Sequence, residues 1–369
     1  MLARSNRWVV KIGTSSLTDV ESGLNHENIR SWVKQIAELS RVGTEVVLVS
    51  SGSIGEGMAR LGWNHRPSKI HQLQAAAAVG QMGLIQSYES AFQSFGMLTA
   101  QVLLTHADLA HRERYLNARS TLRELLRLGV IPIVNENDTI VDEEIRFGDN
   151  DTLAALVTNL VQAKTLVLLT DQNGLFDKDP RKDESASLIP SASADDVSLL
   201  EKAGKPGVLG SGGMFTKVLA ARKASRSGAM TVIANSKAPD ILVRLKSGEP
   251  VGTILLPGRA RLAARKQWLA GQLRSNGKLF LDEGAVAALK GEGTSLLPIG
   301  ITGIHGEFTR GEIVTCVDPQ GRDIAYGLVN YSSAKALQII GHPSQAIESI
   351  LGYGGESEMI HRDNIAILD

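Results

Sequence analysis

A single cysteine, Cys316, stands in a chain of 369 residues. It has no internal partner for a disulfide, so a disulfide-stapled secreted scaffold is excluded and a buried, inert thiol is expected. Net charge is missing too. Lys plus Arg and Asp plus Glu number 39 each, so no overall field draws the chain to nucleic acid or to a membrane surface. No uninterrupted apolar run nears the roughly 18–20 residues of a membrane span. Lys11 also breaks the apolar stretch behind Arg4 and Arg7, where a signal-peptide core would lie. The chain reads as cytoplasmic.

The absences extend to motifs. From Gly55 and Gly57, the third glycine of a dinucleotide fingerprint would fall on Arg60. The Gly-x4-Gly-Lys-Ser/Thr phosphate loop does not occur either, so the usual dehydrogenase and P-loop readings are removed. The eight histidines lack zinc spacing. His106 and His111 are not four apart and read as surface residues, and no metal held by side chains is expected. No Ser/His/Asp set can be assembled, and there is no internal repeat or low-complexity tract.

What is present is an alternation. Apolar runs at Trp8–Ile12, Val46–Val49, Leu98–Leu104, Val130–Val134, Leu166–Leu169 and Met230–Ala234 are separated by helical patterns. One such pattern carries Ile29, Val33, Ile36 and Leu39, with Asn25 as its cap and Gly43 as its stop. Another, rich in Ala, Gly and Gln, covers about Ile70 to Phe95. Runs this apolar are strands buried on both faces, as parallel sheets with helical crossovers require. A three-layer α/β domain is expected over residues 1–256. Residues 257–276 read as a linker, and the short glycine-rich segments of 277–369 as a small β-rich domain with a C-terminal tail.

In a parallel α/β sheet, ligands bind beyond the carboxyl ends of the strands. Those ends read Lys11-Ile12-Gly13-Thr14, Ser50-Ser51-Gly52-Ser53, Asn135-Glu136-Asn137-Asp138 and Thr170-Asp171. A lysine at the end of a buried strand must meet an anion or reach solvent, so Lys11 is a phosphate ligand or pairs with a carboxylate. GVLGSGGMFTK, residues 207–217, offers backbone amides through its glycines and a mobile cation in Lys217. Phe147-Gly148-Asp149-Asn150-Asp151 precedes a helix over Thr152–Val161. It is either an N-cap or a recognition cluster for an ammonium group and for neighbouring lysines. Asp177-Lys178-Asp179-Pro180-Arg181 is a turn that either lines a nucleotide site or, as the safer reading, is solvated.

VVKIGTSSL, VVLVSSGSI, IPIVNENDTIV, FGDNDTLAALV, LLTDQNGLFDKDPR and GSGGMFTK resemble, in order and spacing, the amino-acid kinase family. Within it they are most similar to the members that phosphorylate the side-chain carboxylate of glutamate. DEGAVAAL, SLLPIGI, FTRGEIV and GRDIAYG resemble a PUA domain, and the likeness covers nearly the whole chain. It implies ATP with Mg2+ as cofactors, and an acyl-phosphate product passed to a reductase in proline synthesis. Proline is implied as a feedback inhibitor, and a homo-oligomer is expected. By the same resemblance Lys11 and Lys217 contact the phosphates and the transferred phosphoryl, and Asp151 orients the two lysines. Ser51, Asp138 and Asn150 bind glutamate. Thr170, Asp171 and the stretch Ser211, Gly212, Gly213, Met214, Phe215, Thr216 and Lys217 line the ATP site. Ser211 and Phe215 depart from the threonine and small residue usual at those places.

Two other readings compete. One is a sibling kinase acting on aspartate, acetylglutamate, carbamate or UMP; by resemblance these lack the PUA-like tail. The other is an RNA-binding protein. Gly277–Gly352 holds five Lys/Arg against eight Asp/Glu, a balance of −3, and lacks the basic patch of an RNA-binding face.

Overall fold

The structure, a computed structural model, describes residues 2–19, 23–141, 150–204, 213–258, 275–292 and 294–368. It divides into two compact units, Met1–Leu109 with Arg119–Arg261, and Ala110–Ala118 with Leu262–Asp369. Most of the expected linker lies outside the described residues.

The first unit is built on one sheet. Its strands are β1 (Arg7–Ile12), β4 (Glu45–Val49), β5 (Thr99–Leu104), β6 (Ile131–Glu136), β7 (Thr165–Thr170), β8 (Ser191–Ser193), β9 (Met230–Asn235) and β10 (Thr253–Leu256). A two-stranded ribbon, β2 (Thr18–Asp19) with β3 (Gly23–Leu24), lies apart. The order in the sheet is β5-β6-β4-β1-β7-β9-β10-β8, all parallel except the β9–β10 pair. All six runs read as strands are strands, and the four central ones, β1, β4, β6 and β7, are buried along almost their whole length.

Helices cover both faces, which is why these strands do not alternate. Trp8, Val10 and Ile12 of β1 face Trp32, Val33 and Ile36 of the helix His26–Arg41, together with Leu84 and Phe92 of the helix Ile70–Gln93. The other face is covered by Asn150–Leu160 and Met214–Ser225. Asn25 caps His26–Arg41 as expected, accepting from the Asn28 amide at 2.9 Å.

One close approach sets the rim of the sheet. The helix Ser53–Arg60 follows β4 and crosses Ile70–Gln93 almost backbone to backbone. A Cβ on Gly57 would stand 1.7 Å from the Ala76 carbonyl oxygen, and one on Gly80 would stand 1.8 Å from that of Ser53. Gly80→Ala is therefore expected to destabilise by about 1–3 kcal/mol through overpacking. In a unit of this size that lowers Tm by roughly 2–4 °C per kcal/mol. An unchanged thermal midpoint would show that the crossing can relax.

The second unit contains a five-stranded sheet ordered β12 (Ile301–His305), β11 (Gly277–Leu281), β13 (Ile313–Val317), β14 (Asp323–Leu328) and β15 (Ile365–Ile367). This is the small β-rich domain expected from the glycine-rich spacing. Cys316 lies in β13, wholly buried among apolar side chains, and burial pushes its thiol up to about 12. The thiol is buried, as expected.

Candidate active site

The carboxyl ends of β1, β4 and β7 meet one cleft, and that of β6 lies beside it. Its centre is a buried ion triad. Asp151, in the first turn of Asn150–Leu160, is 0% exposed. Its Oδ1 lies 2.6 Å from Lys11 Nζ, and its Oδ2 lies 3.0 Å from Lys217 Nζ and 2.8 Å from Thr216 Oγ1. The lysines are 5% and 4% exposed. Burial by itself would raise the Asp151 carboxyl. The two ammonium groups outweigh it and hold the carboxyl well below the usual carboxylate range. One carboxylate between two cations leaves a formal charge of +1 at the floor of the cleft. Lys11 is thus the carboxylate partner that the strand-end argument allowed, and it also lines the cleft.

A second network runs beside the triad through neutral groups. The Asn150 amide nitrogen is 2.5 Å from the Ser50 carbonyl oxygen, 2.8 Å from Ser51 Oγ and 2.9 Å from Asn135 Oδ1. Asn135 donates in turn to Gln81 Oε1 at 2.8 Å. Two amide protons facing three acceptors engage both Asn150 donors within the protein. The Ser51 hydroxyl, accepting from Asn150, keeps its own proton to donate. Asp138, just past β6, accepts from Ser53 Oγ at 2.9 Å. Burial raises its carboxyl above the ordinary range, and Ser53 and the Arg66 charge offset this only in part.

The cleft has a volume of about 900 Å3, and Lys11, Ser51, Thr170, Asp171, Met214 and Lys217 are among the residues lining it. Its outer wall includes Asp177 to Lys182, so the turn read as solvated is exposed and also borders the cleft. The helical turn Thr14–Leu17 is pinned to the end of β9 by the Ser16–Ser236 hydroxyl contact at 2.7 Å. Gly213 precedes the helix Met214–Ser225, in whose first turn Met214, Phe215, Thr216 and Lys217 lie. Ser211, Gly212 and Phe147 to Asp149 lie outside the described residues.

A family model described as the amino acid kinase family matches residues 6–235. The chain belongs to the amino acid kinase family. A PUA domain model matches residues 277–351. Among curated relatives of this amino acid kinase, the glutamate 5-kinase of Thioalkalivibrio sulfidiphilus is 58% identical over the whole of this chain and 98% of its own. That of Nitrosococcus oceani is 59% identical over the same shares. A solved UMP kinase from Bacillus anthracis aligns at 16% identity and a TM-score of 0.49, over 69% of this chain and 97% of that one. It is too distant to argue from.

Three residues beside this kinase's cleft escaped the sequence reading. Gln81 looked like one more residue of a helical pattern. Its place between Gly80 and Gly83 on a buried face was the available signal, because a polar side chain there needs a partner. Asn135 and Ser53 stood in strand-end clusters with nothing to single them out. His106 is not the free surface residue expected. It is half-buried, with Nδ1 3.3 Å from the buried Glu136 carboxylate.

Proposed function

We propose that this amino acid kinase transfers the γ-phosphoryl group of ATP to the side-chain carboxylate of glutamate, forming glutamyl 5-phosphate, the first step of proline biosynthesis. The observation that carries the proposal is the buried Lys11–Asp151–Lys217 triad at the strand ends, in a chain similar over its full length to glutamate 5-kinases.

The chemistry suits these groups. The acceptor carboxylate is already ionised near pH 7, so no general base is required. One of its oxygens forms a bond to the γ-phosphorus while the bond to the bridging oxygen breaks, and ADP leaves with that electron pair. The difficulty is bringing two anions together and stabilising charge on the equatorial oxygens. Lys11 and Lys217 are assigned to that charge, preorganised by Asp151 so that nothing need reorient during transfer. Thr170, Asp171 and residues 211–217 are assigned to ATP. Ser51 and Asp138 are assigned to glutamate, with Asn150 holding Ser51.

No group of three or more His, Cys, Asp or Glu that could hold a metal ion occurs among the described residues. The cleft floor offers N–H, O–H and ammonium donors, which fit an anion that brings its own counterion. Mg2+ is therefore assigned to the ATP phosphates, where it supplies charge neutralisation.

We further assign the kinase unit to residues 1–256 and the PUA-like unit to 277–369, with homo-oligomerisation and proline inhibition as properties of the assembled enzyme. No helix among the described residues is long and apolar enough to cross a membrane, in keeping with a cytoplasmic enzyme.

Hydroxylamine trapping tests the acceptor. ATP-dependent hydroxamate should form far faster with glutamate than with aspartate or acetylglutamate. A preference for either competitor would overturn the assignment.

A further inference from the structure

The groove between the helices His26–Arg41 and Ile70–Gln93 lies away from the strand-end cleft and has no part in the chemistry above. Its volume is about 880 Å3, within the range of small-molecule sites. Arg30, Lys34 and His26 line it from the first helix, Ser87 and Ser90 from the second, and Arg60 from Ser53–Arg60. No carboxylate lines it. The wall of the strand-end cleft differs, since Asp171, Asp177, Asp179 and Glu201 stand there among the lysines.

These cations are not simply dispersed in solvent. Arg30 and Lys34 sit one helical turn apart on the same edge, where like charges repel. Neither has a carboxylate partner among the described residues. Arg60 is held in place. Its Nε donates to Glu56 Oε1 at 2.6 Å, and Glu56 is itself buried, with its other oxygen accepting from the Leu24 amide at 3.1 Å. The guanidinium lies across Gly83, where a Cβ would stand 2.3 Å from its Nη2. The missing side chain thus gives a fixed arginine access to the groove. In a molecule of zero net charge, this concavity holds Arg30 and Lys34 without a carboxylate partner, beside Arg60, whose charge Glu56 balances.

We propose that the groove is a second anion site, and that its ligand is a small oligophosphate. Arg30 and Lys34, one helical turn apart, carry more positive charge than one carboxylate balances, and Arg60 adds a guanidinium beside them. Guanidinium forks match phosphate oxygens in pairs. The serines add donors on rotation: the Ser87 hydroxyl now donates to the Gly83 carbonyl at 2.8 Å, a bond that a phosphate oxygen can replace.

Calorimetric titration of the full chain with sodium tripolyphosphate tests this. Wild type should bind one tripolyphosphate per chain more than Arg30→Gln/Lys34→Gln does. Arg60→Gln should weaken the same site by about 10–150-fold, the equivalent of one charge-assisted contact. Both variants should keep kcat and both KM values within about twofold, because none of these residues touches the strand-end cleft. Should the double variant fail to fold by circular dichroism, Arg30→Gln alone is read against wild type by the same criterion. Equal stoichiometry and affinity in wild type and variants would overturn the proposal.

Discussion

Lys217→Ala should lose on the order of 10²–10³ in kcat, the usual cost of removing one preorganised charge contact from a transition state. Lys11→Ala should behave alike, and neither should unfold. The triad explains why. Each lysine shares Asp151 with the other, so deleting one leaves the carboxylate with a partner still 2.6 or 3.0 Å away. The formal charge of the buried centre then falls from +1 to 0, and no unpaired ion is created. Asp151→Asn is the contrasting case. It leaves two buried ammonium groups with no anion between them, and breaking a buried pair in that way costs about 3–5 kcal/mol. The lysine variants should therefore show a catalytic defect with near-normal stability, and the aspartate variant both defects. Steady-state kinetics with parallel thermal unfolding separates the classes. A lysine variant with near-normal kcat would mean that the lysine serves Asp151 alone.

Asp138→Asn should raise the KM for glutamate by about 10–150-fold and leave the KM for ATP nearly unchanged, the loss expected for one charge-assisted hydrogen bond of roughly 1.5–3 kcal/mol. Glutamate presents an α-ammonium that wants a carboxylate. Asp138 is half-buried, accepts a hydrogen bond from Ser53, and stands apart from the Lys11–Asp151–Lys217 triad. Acidification carries the same signature. Burial raises this carboxyl, and only its ionised form attracts the ammonium. As the pH falls, glutamate affinity should weaken before ordinary carboxylates titrate. If Asp138 organised Mg2+ or the lysines instead, the substitution would move the KM for ATP or kcat and spare the KM for glutamate.

Much of this arrangement was legible in the sequence. The six apolar runs were long enough to be strands, and their ends told where polar residues would gather. Lys11 stood out because an ammonium inside an apolar run demands an explanation. The two outer strands were not legible. Ser191–Ser193 and Thr253–Leu256 are short, and Ser191–Ser193 carries no large apolar residue. The site was less legible than the fold. Asp151 lies 140 positions from Lys11 and 66 from Lys217, and only the assembled sheet brings the three together. Asn150 had the right chemistry for a substrate ligand. What the sequence could not say is that Ser50, Ser51 and Asn135 already occupy its donors.

Cys316 gives the molecule one chemical address. With one sulfhydryl in 369 residues, every thiol-reactive label must attach in β13 of the second unit. Because burial pushes that thiol up to about 12, a reagent meets little thiolate until the strand opens. The rate of modification is therefore a clock for local opening of the C-terminal sheet, and the strand-end cleft of the first unit carries no cysteine to confuse it. Alkylation followed by mass spectrometry would report how often that sheet breathes in the intact, working enzyme, without isotopes and without an engineered probe.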